Sequence, residues 1–249
     1  MAQYQMYVFD LDDTLAPSKS PLPPRMAAAL RALLDIAQVC IISGGRFQQF
    51  ETQVLGHLEA SVAQLKHLHL MPTSGMRYYM YGDHSWHAVY EHELAPSDRA
   101  EAARVLEEEA RRLGLWETET FGPVIEDRGS QITFSALGQR APVELKKAWD
   151  PDGMKKERLR DAVAARLTHL DVASGGSTSV DVTAQGIDKA YGVRQLAQYT
   201  KIPLADMIFI GDRLEKGGND YPVLSTGISV HAVKNWQDCA AYVEGVVMS

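Results

Sequence analysis

The chain has 249 residues, 45% hydrophobic and 23% charged, a globular balance with length for one domain and an insertion or two modest domains. A net charge of −7 argues against a nucleic-acid or anionic-membrane partner, since either requires a basic field. Two cysteines, Cys40 and Cys239, make no disulfide framework and fit a reducing cytoplasm, and no apolar run reaches membrane-spanning length.

In chain order, residues 4–9 read as a short buried strand without polar alternation, ending in the carboxylates Asp10 and Asp12. Pro21, Pro23 and Pro24 then precede a helix, with Met26, Leu30, Leu33, Leu34 and Ala37 at helical spacing. Residues 39–43 are a second buried strand, followed by Gly44-Gly45 and a helix over 47–58; residues 68–71 are a third strand. Strand alternating with helix is the rhythm of a parallel α/β sheet.

That rhythm then breaks. Residues 78–89 form an aromatic-rich hairpin with Gly82-Asp83 as its expected turn, and residues 97–113 a charged amphipathic helix capped by Ser97. Paired strands around residues 127–130, a helix over 155–170 and a strand over 178–182 complete an antiparallel α+β block. After Gly186 the α/β rhythm resumes, with a helix over 189–200, a strand over 207–210 and a last strand near Ile228. The sequence therefore predicts an α/β protein: a Rossmann-like parallel-sheet core of residues 1–82 and 186–249, interrupted by an α+β cap of residues 83–185.

Four stations carry chemistry. Asp10 and Asp12 stand two apart in extended chain, so both address one point, and desolvated acids at a strand end need a cation or donors. A nucleophile and a proton-transfer group are one reading; an acidic capping turn is the other. Ser43 with Gly44 offers a hydroxyl and exposed backbone N–H groups to a phosphoryl oxygen, or simply caps the next helix. Lys189, at a helix start, slightly opposes the helix dipole, which suggests another task. Asp212, Asn219 and Asp220 bring hard oxygen donors to a glycine-rich loop after another buried strand, a set suited to Mg²⁺. In a parallel sheet these strand tips share the edge where ligands bind.

Together, Asp10-Leu-Asp-Asp-Thr14, Ile41-Ile-Ser43, the isolated Lys189 and Gly211-Asp212 with Asn219-Asp220 resemble the four motifs of the haloacid dehalogenase superfamily. The insertion resembles that superfamily's type IIB (C2) cap. Residues 121–140, 175–182, 217–221 and 186–189, with a looser echo at 72–75, are similar to eukaryotic-type phosphomannomutase. The resemblance implies that Asp10 attacks phosphorus to form an aspartyl-phosphate, and that Asp12 protonates the leaving oxygen and then deprotonates the acceptor. It implies Mg²⁺ held by Asp10, the Asp12 carbonyl and Asp212, with Asp220 and Asn219 in or beside the metal shell. Lys189, Ser43 and Gly44 would then hold phosphoryl oxygens. In the cap, Arg128 matches an arginine that grips a sugar's distal phosphate, and Ser179 and Asp181 match positions contacting phosphate and sugar hydroxyls.

Departures from that family sort the readings. Gly138-Gln139 stands where the mutases have a glycine–arginine pair, with Arg140 one place later, and Asp13 stands where they have glycine. The leading expectation is a Mg²⁺-dependent phosphohydrolase of a sugar phosphate or similar small phosphorylated metabolite, with a homodimer as one possible assembly. Phosphomannomutase is the alternative, and a non-catalytic sugar-phosphate-binding module the third.

Overall fold

The computed structural model describes residues 3–248, which divide into two compact units: residues 3–91 with 188–248, and residues 92–187. Among the described residues no helix is long and apolar enough to cross a membrane.

The first unit opens with β1 (Met6–Asp10), α1 (Pro24–Leu34) and β2 (Gln38–Ile42). Next, α2 (Phe47–Phe50) runs through a π turn (Glu51–Leu55) into α3 (Gly56–Leu58), followed by α4 (Val62–Leu65), β3 (Leu68–Met71), β4 (Arg77–Gly82) and β5 (Ser85–Glu91). The second unit holds α5 (Pro96–Arg112), β6 (Ile125–Asp127), β7 (Gln131–Ser135), α6 (Val143–Trp149), α7 (Met154–Ala164), β8 (Leu170–Ser174) and β9 (Ser179–Ala184). The chain re-enters the first unit with α8 (Lys189–Thr200), β10 (Met207–Gly211), β11 (Ser229–Ala232) and α9 (Trp236–Met248).

The first unit is a seven-stranded sheet in the order β11-β10-β1-β2-β3-β4-β5. Its members from β11 to β3 are parallel and the β4–β5 hairpin is antiparallel. Both faces of its centre are covered, which is why β1, β3 and β10 are buried throughout. Tyr7, Phe9, Val39 and Ile41 face α1 and α9, while Met6, Val8, Cys40, Ile42 and Phe209 join Val193 and Leu196 of α8. The parallel order sends β1, β2 and β10 to the same edge of the sheet.

The hairpin corrects one boundary. Residues 83–91, expected in the cap, are the turn and second arm of β4–β5, whose strands pair from Arg77↔Glu91 to Gly82↔Ser85. A hydrogen-bonded hairpin stays with its sheet, so the division falls after Glu91 and again before Asp188. Its two-residue turn is Asp83-His84, one place beyond the expected Gly82-Asp83, with φ of 47° and 61°. Such mirror-image turns match the twist of the flanking strands.

The second unit is a four-stranded antiparallel sheet, β6-β7-β9-β8. Ile132, Phe134, Val180 and Val182 form its core with α5 and α7. Residues alternating with them, Gln131, Thr133, Ser135 and Asp181, make a polar face. Helix α5 starts at Pro96 with Ala95 as its N-cap, not at the expected Ser97 cap, because proline supplies the first-turn geometry itself. The helix expected over 155–170 stops at Ala164, and β8 takes up residues 170–174.

Candidate active site

Asp10, the last residue of β1, is 3% exposed, Lys189 at the start of α8 is 2% exposed, and Asp220 is fully buried. The Lys189 ammonium donates to Asp220 Oδ1 at 2.5 Å and to Asp10 Oδ1. Carboxylate oxygens of Asp10, Asp212 and Asp220 lie within 4.8 Å of one another. The backbone N–H of Arg213 donates to Asp220 Oδ2 at 3.1 Å, and Thr14 Oγ1 donates to Asp212 Oδ1 at 3.2 Å. Gly211 closes β10 without a Cβ, which would run into the Asp220 carboxylate. Two stations of the sequence thus meet around a third, Lys189.

The electrostatics follow from that crowding. Burial, reinforced by Asp220 and Asp212 against the pull of Lys189, pushes Asp10 up to about 8. Burial and Asp220 likewise raise Asp212 to about 6. Burial would lower Lys189, but Asp10 and Asp220 outweigh it and hold the ammonium well above its usual range. Three carboxylates sharing one ammonium leave excess negative charge in a desolvated place, which a hard dication would relieve. The donor set, all carboxylate oxygen, fits Mg²⁺.

Asp12 faces a different set of partners. Its Oδ1 accepts from the Lys19 backbone N–H at 2.8 Å and Gln53 Nε2 at 3.2 Å. Its Oδ2 accepts from Lys19 Nζ at 2.6 Å and Gln49 Nε2 at 3.2 Å. Burial would raise Asp12, yet Lys19 and these donors outweigh it and hold the carboxyl down at about 2. Asp13, in the place of the family glycine, takes the left-handed φ of 68°, a conformation aspartate tolerates better than most residues.

Ser43 is 4% exposed at the end of β2, and its Oγ accepts from the Gly45 N–H at 3.1 Å. Gly44 lies between them, at the C-terminal edge of the sheet. Asn219, expected at the metal, is exposed on its loop one residue before buried Asp220.

In the second unit, Thr133 Oγ1 donates to Asp181 Oδ1 at 2.7 Å, and Ser179 pairs with Ser135 in the sheet register. The Arg128 fork is engaged by its own strand: Nη2 donates to Glu126 Oε2 at 2.8 Å and Nε at 3.2 Å. Arg140, expected to hold substrate, is exposed in the loop after β7, its N–H bonded to the Phe121 carbonyl. Sequence reasoning gave no role to Lys19, Gln49, Gln53 or Thr14. The i,i+4 spacing of the two glutamines was the available signal for that pair.

A parallel sheet thus carries an Asp–Lys–Asp–Asp cluster at its C-terminal edge. The chain belongs to the haloacid dehalogenase-like hydrolase family, whose family model matches residues 7–240. A phosphomannomutase of Oryza sativa subsp. indica is 28% identical over 134 residues, 51% of this chain and 52% of the relative. This alignment spans about half the length of that relative. A phosphomannomutase of Encephalitozoon cuniculi is 25% identical over 236 residues, 90% of this chain and 88% of the relative. The fold is similar to that of a truncated, IMP-bound IMP-nucleotidase of Plasmodium falciparum, with a TM-score of 0.72 at 14% identity, covering 99% of this chain and 68% of that one.

Proposed function

We propose that this protein is a Mg²⁺-dependent phosphohydrolase of a sugar phosphate or similar small phosphomonoester, working through a phosphorylated Asp10. The observation that carries this reading is Lys189 bridging Asp10 and Asp220 with Asp212 alongside.

Asp10, Asp212 and Asp220 would hold the ion, with the Asp12 carbonyl as the further ligand implied by the family resemblance. When bound, Mg²⁺ supplies positive charge against the repulsion between an anionic nucleophile and an anionic phosphoryl group. Lys189 fixes the Asp10 carboxylate and offers an ammonium to the phosphoryl oxygens, joined by Ser43 and the Gly44 N–H. An Asp10 oxygen forms the new bond to phosphorus as the ester O–P bond breaks, and the leaving alkoxide takes a proton from Asp12 or solvent. Water then attacks the phosphorus, its proton passes to Asp12, and the Asp10 O–P bond breaks. With its carboxyl held near 2, Asp12 is ready for the second of these roles; its first requires that Lys19 leave Oδ2.

Arg128, Arg140, Ser179 and Asp181 remain the proposed substrate contacts, with Arg128 the strongest of them because a guanidinium fork suits a phosphate. Full-length similarity to a phosphomannomutase favours a second reading, interconversion of mannose 1-phosphate and mannose 6-phosphate. Gln139 in place of the mutase arginine, and Glu126 already on Arg128, weigh against a cap that must grip a second phosphate.

Mannose 1-phosphate with Mg²⁺, with and without a hexose bisphosphate, separates the readings. Release of inorganic phosphate supports the hydrolase. Bisphosphate-dependent formation of mannose 6-phosphate supports the mutase, and neither product with any phosphomonoester would leave a binding module.

A further inference from the structure

Asp12 is embraced by a polar network that the reaction described above leaves without a task. Gln49 lies in α2 and Gln53 in the π turn, a rare element that concentrates at functional sites. The amide orientations are dictated by their partners. Lys19 Nζ, a pure donor, occupies Gln49 Oε1 at 2.9 Å, so Gln49 Nε2 must face Asp12 Oδ2. That same Nε2 donates to Gln53 Oε1 at 2.8 Å, which turns Gln53 Nε2 onto Asp12 Oδ1.

Two further features hold the arrangement. Gly45 leaves room for Gln49, since a Cβ there would run into the Gln49 amide. The Leu22 N–H donates to the Gln53 carbonyl at 2.8 Å, tying the segment that carries Lys19 to the π turn. Gln53 is 5% exposed, and a buried amide with all its groups engaged is a rigid support.

We propose that Gln49 and Gln53 are positioning residues that clamp the Asp12 carboxylate for proton transfer. The proposal rests on the reading of Asp12 as the proton-transfer group. Each amide fixes one carboxylate oxygen from the helix side, so the pair holds both the position and the rotation of the acid. Lys19 Nζ, a third exposed, is the donor that can leave Oδ2 to free a lone pair while the amides keep the geometry.

The test is burst kinetics with p-nitrophenyl phosphate. Nitrophenolate leaves without needing a proton, so the burst reads phosphorylation of Asp10. The linear phase reads hydrolysis of the phosphoenzyme, which needs the base. Gln49→Leu and Gln53→Leu are expected to keep the burst rate within about 3-fold of wild type and to slow the linear phase about 10- to 100-fold, as misplacing a catalytic group does. Asp12→Asn is the benchmark and is expected to show the same split.

Equal slowing of both phases in the glutamine variants overturns the clamp. If Asp12→Asn splits the phases and the glutamine variants do not, the clamp alone falls. If Asp12→Asn itself shows no split, its proton-transfer role falls and the clamp with it. Gln49→Leu, at a partly exposed site, carries the test if the buried Gln53→Leu does not fold.

Discussion

Thr14 Oγ1 donates to Asp212 Oδ1 at 3.2 Å across 198 positions of sequence, joining the loop after β1 to the loop after β10. The hydroxyl is fully buried with its residue and orients one oxygen of a proposed metal ligand. Partners of metal ligands typically contribute about 10- to 100-fold to affinity. Thr14→Val, close in shape, is therefore expected to weaken Mg²⁺ binding at least about 10-fold by calorimetry. Unchanged affinity would show that Asp212 needs no such support.

Lys189 is the counter-charge of the cluster. Removing one partner of a buried ion pair costs about 3–5 kcal/mol, because the remaining charges stay desolvated. Lys189→Met should lower the unfolding midpoint of the metal-free protein strongly, and added Mg²⁺ should recover more stability in the variant than in wild type. Equal midpoints without metal would mean that the ammonium is not balancing Asp10 and Asp220.

His69 gives a pH dependence outside the active site. Its Nδ1 meets the Tyr78 hydroxyl at 2.6 Å and its Nε2 meets Gln38 Oε1 at 2.9 Å. Burial, with His67 nearby, lowers it to about 4. The unfolded chain, with an ordinary value of about 6.5, then binds more protons in that window, so stability rises with pH. Stability fully present above about pH 6.5 should be lost by up to about 3 kcal/mol on acidification toward about pH 4. Urea denaturation of wild type and His69→Gln at several pH values checks this. The variant should show a flatter dependence, and parallel curves would contradict the assignment.

Gly75 couples a turn to the helix that carries Lys189. It sits at φ +89° after Thr73 and Ser74, which are also left-handed, and a Cβ would run into the Gly192 backbone in the first turn of α8. Gly75→Ala should destabilise by more than about 1 kcal/mol, the scale for alanine forced to positive φ. It should also reduce turnover, since Gly192 is three places beyond Lys189. A neutral effect in chemical denaturation would show that α8 moves aside freely.

The strands that deliver the site were legible because their physics is local. Residues 6–10, 39–42 and 207–211 are buried on both faces and so read as apolar runs leading to Asp10, Ser43 and Asp212. Helix α8 runs over 189–200 as its pattern predicts, with Asp188 as the cap accepting from the Tyr191 N–H. Less legible were features set by tertiary partners. Strand β8 alternates buried and exposed residues only because α7 packs on one face, and α6 is a seven-residue helix with little periodicity of its own. The π turn has no compositional signature, so the convergence of Gln49 and Gln53 on Asp12 emerges only in three dimensions.

The central claim is that Asp10 becomes phosphorylated. Acid quenching during turnover of a phosphomonoester, borohydride reduction and peptide mass analysis address it directly, because reduction of an aspartyl-phosphate leaves homoserine at that position. Homoserine at position 10 and not at position 12 is the expected result, abolished in Asp10→Asn. Phosphate release with Asp10 left intact, or homoserine at another acid, would contradict it.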